Sequence, residues 1–176
     1  MTDAASLSAA GSPANLYSLT PLSRGDLPVG HPTEMIARAY EELRRGHLLP
    51  HENEIIENPR LQAALMYAEH VEPVDMQGFV DFTILGQGEK VVRRGGNSMR
   101  DAWMSETIDA EFVEARYHEM IAASVLRQPM FSRGATPTRE RAFRMQIRGL
   151  FPLFAENQAR LRLLMVAAEP YVALRD

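Results

Sequence analysis

Apolar side chains first fall into a regular pattern at Ile36, Tyr40 and Leu43, a stripe that His47 would continue. Their spacings of three and four residues describe one face of a helix, with Glu41, Glu42, Arg44 and Arg45 on the other. Thr33 is a capping residue and Gly46 a stop, so the pattern predicts an amphipathic helix over 33–46. Pro50 and Pro59 punctuate the irregular stretch HLLPHENEIIENP, and PRLQAALMYA suggests a second, short helix over about 59–68.

From Phe79 the period changes to two. Val80, Phe82 and Ile84 alternate with Asp81 and Thr83, which predicts a half-buried strand ending at Gly86. A glycine-rich connector follows, then a loose helical turn over 97–103. Asp109 is placed to cap a long helix over about 110–126, with Val113, Tyr117, Met120, Ile121 and Ser124 on one face. Gln128-Pro129 stops it. Met130 to Ser132 reads as a short strand and GATPTRER as a loop. Phe143 to Phe154 alternates with a break at Gly149 and Pro152, and Leu161 to Ala168 forms a last strand. Strands segregated from helices in this way predict an α+β fold, not a doubly wound parallel sheet. Residues 1–31, rich in Ala, Ser, Gly and Pro, read as a flexible tail in which Leu16, Tyr17, Leu19 and Leu22 dock locally. The domain is expected over 32–172.

Composition narrows the function classes. The 176 residues suit one domain with a real core, and 45% hydrophobic with 24% charged residues is the balance of a soluble globular protein. A net charge of −4 argues against nucleic acid as a partner. Cysteine is absent, which excludes disulfides, thiolate metal sites and cysteine nucleophiles. No apolar run approaches the ~20 residues of a membrane span, and no secretory signal begins the chain. A cytoplasmic protein is expected.

Candidate chemistry is sparse. GQGEKV matches the dinucleotide-binding G-x-G-x-x-G only in its first two glycines, Val91 replacing the third, and no G-K-[ST] follows. The segment therefore reads as a basic corner leaving a strand. His47 and His51 have metal-pair spacing, but Gly46 and Pro50 oppose a helix there. His70 lies among Glu69, Glu72 and Asp75 and reads as a surface histidine in an acidic patch. His118 sits mid-helix beside Tyr117, where an imidazole could meet a haem, although a half-exposed structural histidine is the ordinary reading. Ser98, Ser105, Ser124 and Ser132 lack a nucleophile-elbow context. No base, nucleophile and oxyanion donor converge, so no enzyme is expected.

Four local features carry a family resemblance. They are Tyr40-Glu-Glu-Leu-Arg-Arg followed by Pro50, the strand end VDFTILG, the step Gly95-Gly96-Asn97-Ser98-Met99, and Pro129-Met-Phe-Ser-Arg-Gly134 leading to Leu150-Phe-Pro-Leu153 and LRLLMVAAEP. With the order of elements, they make residues 33–170 resemble a PAS domain of the short, single-domain kind common in alphaproteobacteria. The closing glycine that the family has after Ser98-Met99 is missing. The resemblance implies a five-stranded antiparallel sheet with helices on one face and the leading helix outside the core, where such domains often form homodimers. It also implies non-catalytic signalling through other proteins, with any ligand between the sheet and the long helix. The matching positions are Phe82, Ile84, Tyr117, Ile121, Met145, Ile147, Leu164 and Val166, with His118 as the ligand of a haem version. The resemblance leaves the cofactor unidentified: haem, a small metabolite, or a phosphate-bearing second messenger such as a cyclic dinucleotide held by Lys90, Arg93, Arg94 and Arg100.

Overall fold

A computed structural model describes residues 18–46, 48–107, 110–137, 143–155 and 160–174, with only the backbone considered at 107, 110–113, 115 and 137. Helix α1 covers Pro32–Leu43, followed by α2 at Glu52–Ile56, a single 3-10 turn at Pro59–Leu61 and α3 at Gln62–Leu65. Strands β2 (Ala68–Asp75) and β3 (Val80–Gln87) form a hairpin. Three helices come next: α4 at Glu89–Gly95, α5 at Met104–Thr107 and the long α6 at Ala110–Leu126. The chain then lays down β4 (Met130–Pro137), β5 (Phe143–Ala155) and β6 (Arg160–Ala168) as a meander. A short strand β1, Thr20–Leu22, precedes all of these.

The sheet has six strands in the order β1-β4-β5-β6-β2-β3, and every pairing is antiparallel. This corrects the expected five-stranded PAS-like sheet, although the α+β class stands. Strand β1 lies inside the stretch expected to be a tail, where it covers the outer edge of β4 by pairing Thr20 with Arg133 and Leu22 with Phe131. Strand β2 went unread because charged residues and Pro73 hide its alternation. That proline is tolerated because β6 pairs only with Ala68–Val71, which leaves the second half of β2 bonded on one side to β3. β4 continues to Pro137, through the Gly134-Ala-Thr-Pro run expected to be a loop. β5 runs unbroken past Gly149 and Pro152.

Helices pack on both faces of the sheet, not on one. α1 lies on β5 and β6, and its Met35, Ile36, Ala37 and Tyr40 are buried with Ile147, Phe151, Leu153, Leu164 and Val166. The Phe151 ring sits 5.6 Å from Tyr40 and 5.8 Å from Phe131. Gly149 permits this approach, since a Cβ there would come within 2.6 Å of the Thr33 methyl and 2.7 Å of the Phe151 ring. The expectation of a flanking α1 is thereby corrected: its apolar stripe is core. Arg38, Glu41 and Glu42 form what is left exposed. The helix is capped by His31, whose Nδ1 accepts from the Thr33 amide at 3.2 Å, so Thr33 is a donor and not the cap. On the opposite face, α5 and α6 enclose Val71, Phe82, Ile84, Met104, Met120, Ala123, Leu150, Leu163 and Met165.

Candidate functional site: a polar layer beneath the long helix

Alternation along β5 sends Ile147, Phe151 and Leu153 toward α1 and Gln146, Arg148 and Leu150 toward α6. Ser132 of β4 lies directly opposite Arg148 in the ladder, and directly opposed residues share a face. Ser132, Thr136, Gln146 and Arg148 are therefore the inner surface under α6, and their exposures are only 2%, 6%, 1% and 3%. Thr136 Oγ1 donates to Gln146 Oε1 at 3.0 Å. Helix α6 adds Arg116 and Glu119, which its pitch places on one face. Helix α4 adds Arg94, whose Nη1 donates to the Ala167 carbonyl at 3.4 Å. Strand β2 adds Glu69, which accepts from Gln87 Nε2 at 2.6 Å while Gln87 Oε1 accepts from the Met99 amide at 2.7 Å.

Three guanidinium groups thus act on one another and on Glu69 and Glu119, with Arg116 and Arg148 buried and Arg94, Glu69 and Glu119 half-buried. Burial pushes Arg116 down to about 9; Arg148 and Arg94 push it the same way, while Glu69 and Glu119 oppose. Burial also lowers Arg148 against the pull of Glu119 and Glu69. All three arginines stay charged at neutral pH. Arg148 Nη2 lies 3.2 Å from Glu119 Oε2, an ion pair whose partners are 3% and 10% exposed. Arg148 Nη1 and Ser132 Oγ are buried with no hydrogen-bond partner among the described residues. A donor-rich, cationic interior of this kind is suited to holding oxygen atoms of a guest.

The residues expected to surround a ligand are divided between the two faces. Phe82, Ile84, Tyr117 and Ile121 come together beneath α6, with the Phe82 and Tyr117 rings 5.5 Å apart. Ile147, Leu164 and Val166 lie on the other face, under α1. β6 is buried on both sides, so its apolar run carries no sign of which residue faces which helix. Met145 is 44% exposed beside a shallow groove lined by Arg144, Glu169, Pro170 and Tyr171. His118 is exposed on α6.

The four basic residues of the connector separate as well. α4 occupies that connector, with Gly88 at its start because a Cβ there would strike the Leu65 and Met66 carbonyl oxygens. Arg93 pairs with Glu89 on the surface, Arg100 is exposed and Lys90 is half-buried. Arg94 alone turns into the layer beneath α6. His51 caps α2 through Nδ1, 3.2 Å from the Asn53 amide, and His47 falls outside the described residues. His70 is not at the surface: its Nε2 is 3.1 Å from Glu52, and burial with the nearby Arg162 charge pushes it down to about 4. Among the described residues no group of histidines and carboxylates has metal-binding geometry.

Asp81 is buried at the α5–α6 end of this face, where it accepts from Ser105 Oγ at 2.6 Å, from the Phe82 amide at 2.7 Å and from the Tyr117 hydroxyl. Burial alone would raise Asp81, but these donors outweigh it and hold the carboxyl below the usual range. Ser124 donates to the Met120 carbonyl at 2.8 Å. Arg116, Glu119, Arg148 and Asp81 were not candidates from sequence, and Ser132 entered there only as a serine without a nucleophile-elbow context. The available signal was the Arg144-Gln146-Arg148 alternation, which reads as a solvent face until α6 is seen to cover it. No protein-family model matches the chain, and no curated protein matches it. Among the described residues no helix is long and apolar enough to cross a membrane.

Proposed function

We propose that the chain is a non-catalytic, cytoplasmic regulatory module that holds a small ligand between α6 and the sheet and signals its presence to partner proteins. The observation that carries this reading is the buried polar layer of Ser132, Thr136, Gln146 and Arg148 facing Arg116. Hydrophobic collapse selects apolar side chains for a sheet face covered by a helix, as under α1. Burying polar and charged groups opposes folding unless they are matched. A layer retained against that cost points to a task other than stability.

The PAS resemblance supports the same reading, since it places ligands between the sheet and the long helix. The hydrogen bonding of Asp81, Ser105, Tyr117 and Ser124 supports a non-catalytic role, because each of these groups already serves as a fastener. A homodimer through α1 has lost the apolar stripe on which that expectation stood. Contact with partners is more naturally assigned to other exposed surfaces.

The test is hydrogen–deuterium exchange on the full chain with and without a deproteinised small-molecule extract of its own host. Slower exchange confined to α6, β4 and β5 is the expected result. Unchanged exchange throughout the chain would remove the ligand reading.

A further inference from the structure

The most buried part of the layer has two unanswered groups side by side. Arg148 and Ser132 are direct neighbours across the β4–β5 ladder, which puts their Cβ atoms ~5 Å apart. Glu119 occupies only one edge of the Arg148 guanidinium, at Nη2. The other edge, Nη1, and the Ser132 hydroxyl have no hydrogen-bond partner among the described residues. Both can donate, and a guanidinium cannot accept. A guest that takes a hydrogen bond from both at once offers acceptor oxygens.

Charge points the same way. Arg94, Arg116 and Arg148 act on each other electrostatically, and the carboxylates acting on this trio from within the layer are Glu69 and Glu119. Glu169 also acts on Arg94, but it lies at the rim, where it is bonded to Arg144 at 2.9 Å and to Tyr171. Three guanidinium groups thus converge on a layer whose described carboxylates are Glu69, Glu119 and, at the rim, Glu169. The planar fork of arginine also matches the paired oxygens of carboxylate and phosphate.

We propose that the layer beneath α6 binds a small oxyanion bearing carboxylate or phosphate groups, with Arg148 Nη1 and Ser132 Oγ as its innermost donors and Arg94 and Arg116 as its cationic wall. This rests on the reading of the layer as a ligand site and names the ligand's class. Glu119 and Glu69 hold the guanidinium groups in place and limit the charge the guest can carry. They favour a small mono- or dianion over a polyphosphate. Of the basic residues around the α4 connector, only Arg94 takes part.

The test is calorimetric titration of the full chain with inorganic phosphate and, separately, with succinate, each against sodium chloride at matched ionic strength. Saturable binding of either anion is expected, and the one that binds identifies which oxyanion chemistry the site takes. Ser132→Ala removes an unpartnered hydroxyl, so it should fold as the parent does and bind the anion about tenfold more weakly. Arg148→Gln should abolish binding. The proposal is overturned by chloride-like behaviour of both anions, or by Ser132→Ala binding as tightly as the parent. Native mass spectrometry separates the two levels of failure. A neutral compound retained by the chain, without an anion response, would overturn the oxyanion class and leave the ligand site standing. A bare chain with no response would overturn both.

Discussion

Replacing Tyr40 by Phe removes one oxygen atom from the interior and tests where α1 belongs. Tyr40 is 1% exposed, and its hydroxyl donates to the Pro152 carbonyl at 2.8 Å. Burial raises that hydroxyl to about 12, so it is a neutral donor at every working pH. The Pro152 carbonyl needs it because β4 pairs with β5 only from Phe143 to Leu150. Beyond that point the free edge of β5 is met by Tyr40 and by Pro50, whose carbonyl accepts from the Phe154 amide at 3.0 Å. Phe keeps the ring against Phe151 but leaves a buried carbonyl without a donor, at a cost of about 1–3 kcal/mol. For a chain of this length, that lowers the thermal midpoint by about 2–12 °C. Differential scanning calorimetry reads the shift, light scattering reads the mass, and Glu42→Ala on the exposed face serves as the control. The expected outcome is a lower midpoint for Tyr40→Phe, near-parent behaviour for Glu42→Ala and one unchanged mass. A parent-like midpoint for Tyr40→Phe, or a fall in mass without loss of stability, would show that this face of α1 contacts another molecule.

Acid should destabilise the protein through His70, which faces Glu52, Arg162 and Glu72. Its folded value of about 4 lies below the ordinary 6.5, so the unfolded chain binds more protons between those values. The contribution is whole above about pH 6.5 and is lost as pH falls toward 4, a change of about 3 kcal/mol. Urea midpoints for the parent should therefore fall more steeply through this window than those for His70→Gln, and parallel curves would contradict it. Arg148→Met should cost about 3–5 kcal/mol by leaving Glu119 buried without its partner, and adding Glu119→Leu should restore most of that in chemical denaturation. Asp81→Asn weakens charge-assisted bonds from Ser105 and Tyr117, so a loss of about 1.5–3 kcal/mol and a changed near-ultraviolet tyrosine signal are expected.

The elements with strong periodicity were legible in the sequence. Ile36, Tyr40 and Leu43 mark α1, Val80, Phe82 and Ile84 mark β3, and the apolar run over 161–168 marks β6. What stayed hidden was long-range. Thr20–Leu22 has no pattern of its own and becomes a strand only because β4 offers an edge. The Glu69-His70-Val71-Glu72-Pro73 run reads as polar, yet its polar side chains find partners within the fold: Gln87 for Glu69, Glu52 for His70 and Arg162 for Glu72. Tyr40 and Leu43 suggest an interface as readily as a core, and only the position of the sheet decides between them. The polar layer was hidden for the same reason: Arg148 and Gln146 look like a wet strand face until α6 closes over them. Three of the expected pocket residues, Ile147, Leu164 and Val166, fell on the α1 side; the two on β6 did so unannounced because neither apolar face of that strand is marked in its sequence.

Native mass spectrometry of the chain purified from its own host tests the central claim most directly. The account predicts a small oxyanion that travels with the folded protein, is released on unfolding and is missing from Arg148→Gln. A folded chain at its bare mass that also shows no saturable heat with phosphate or succinate would contradict it.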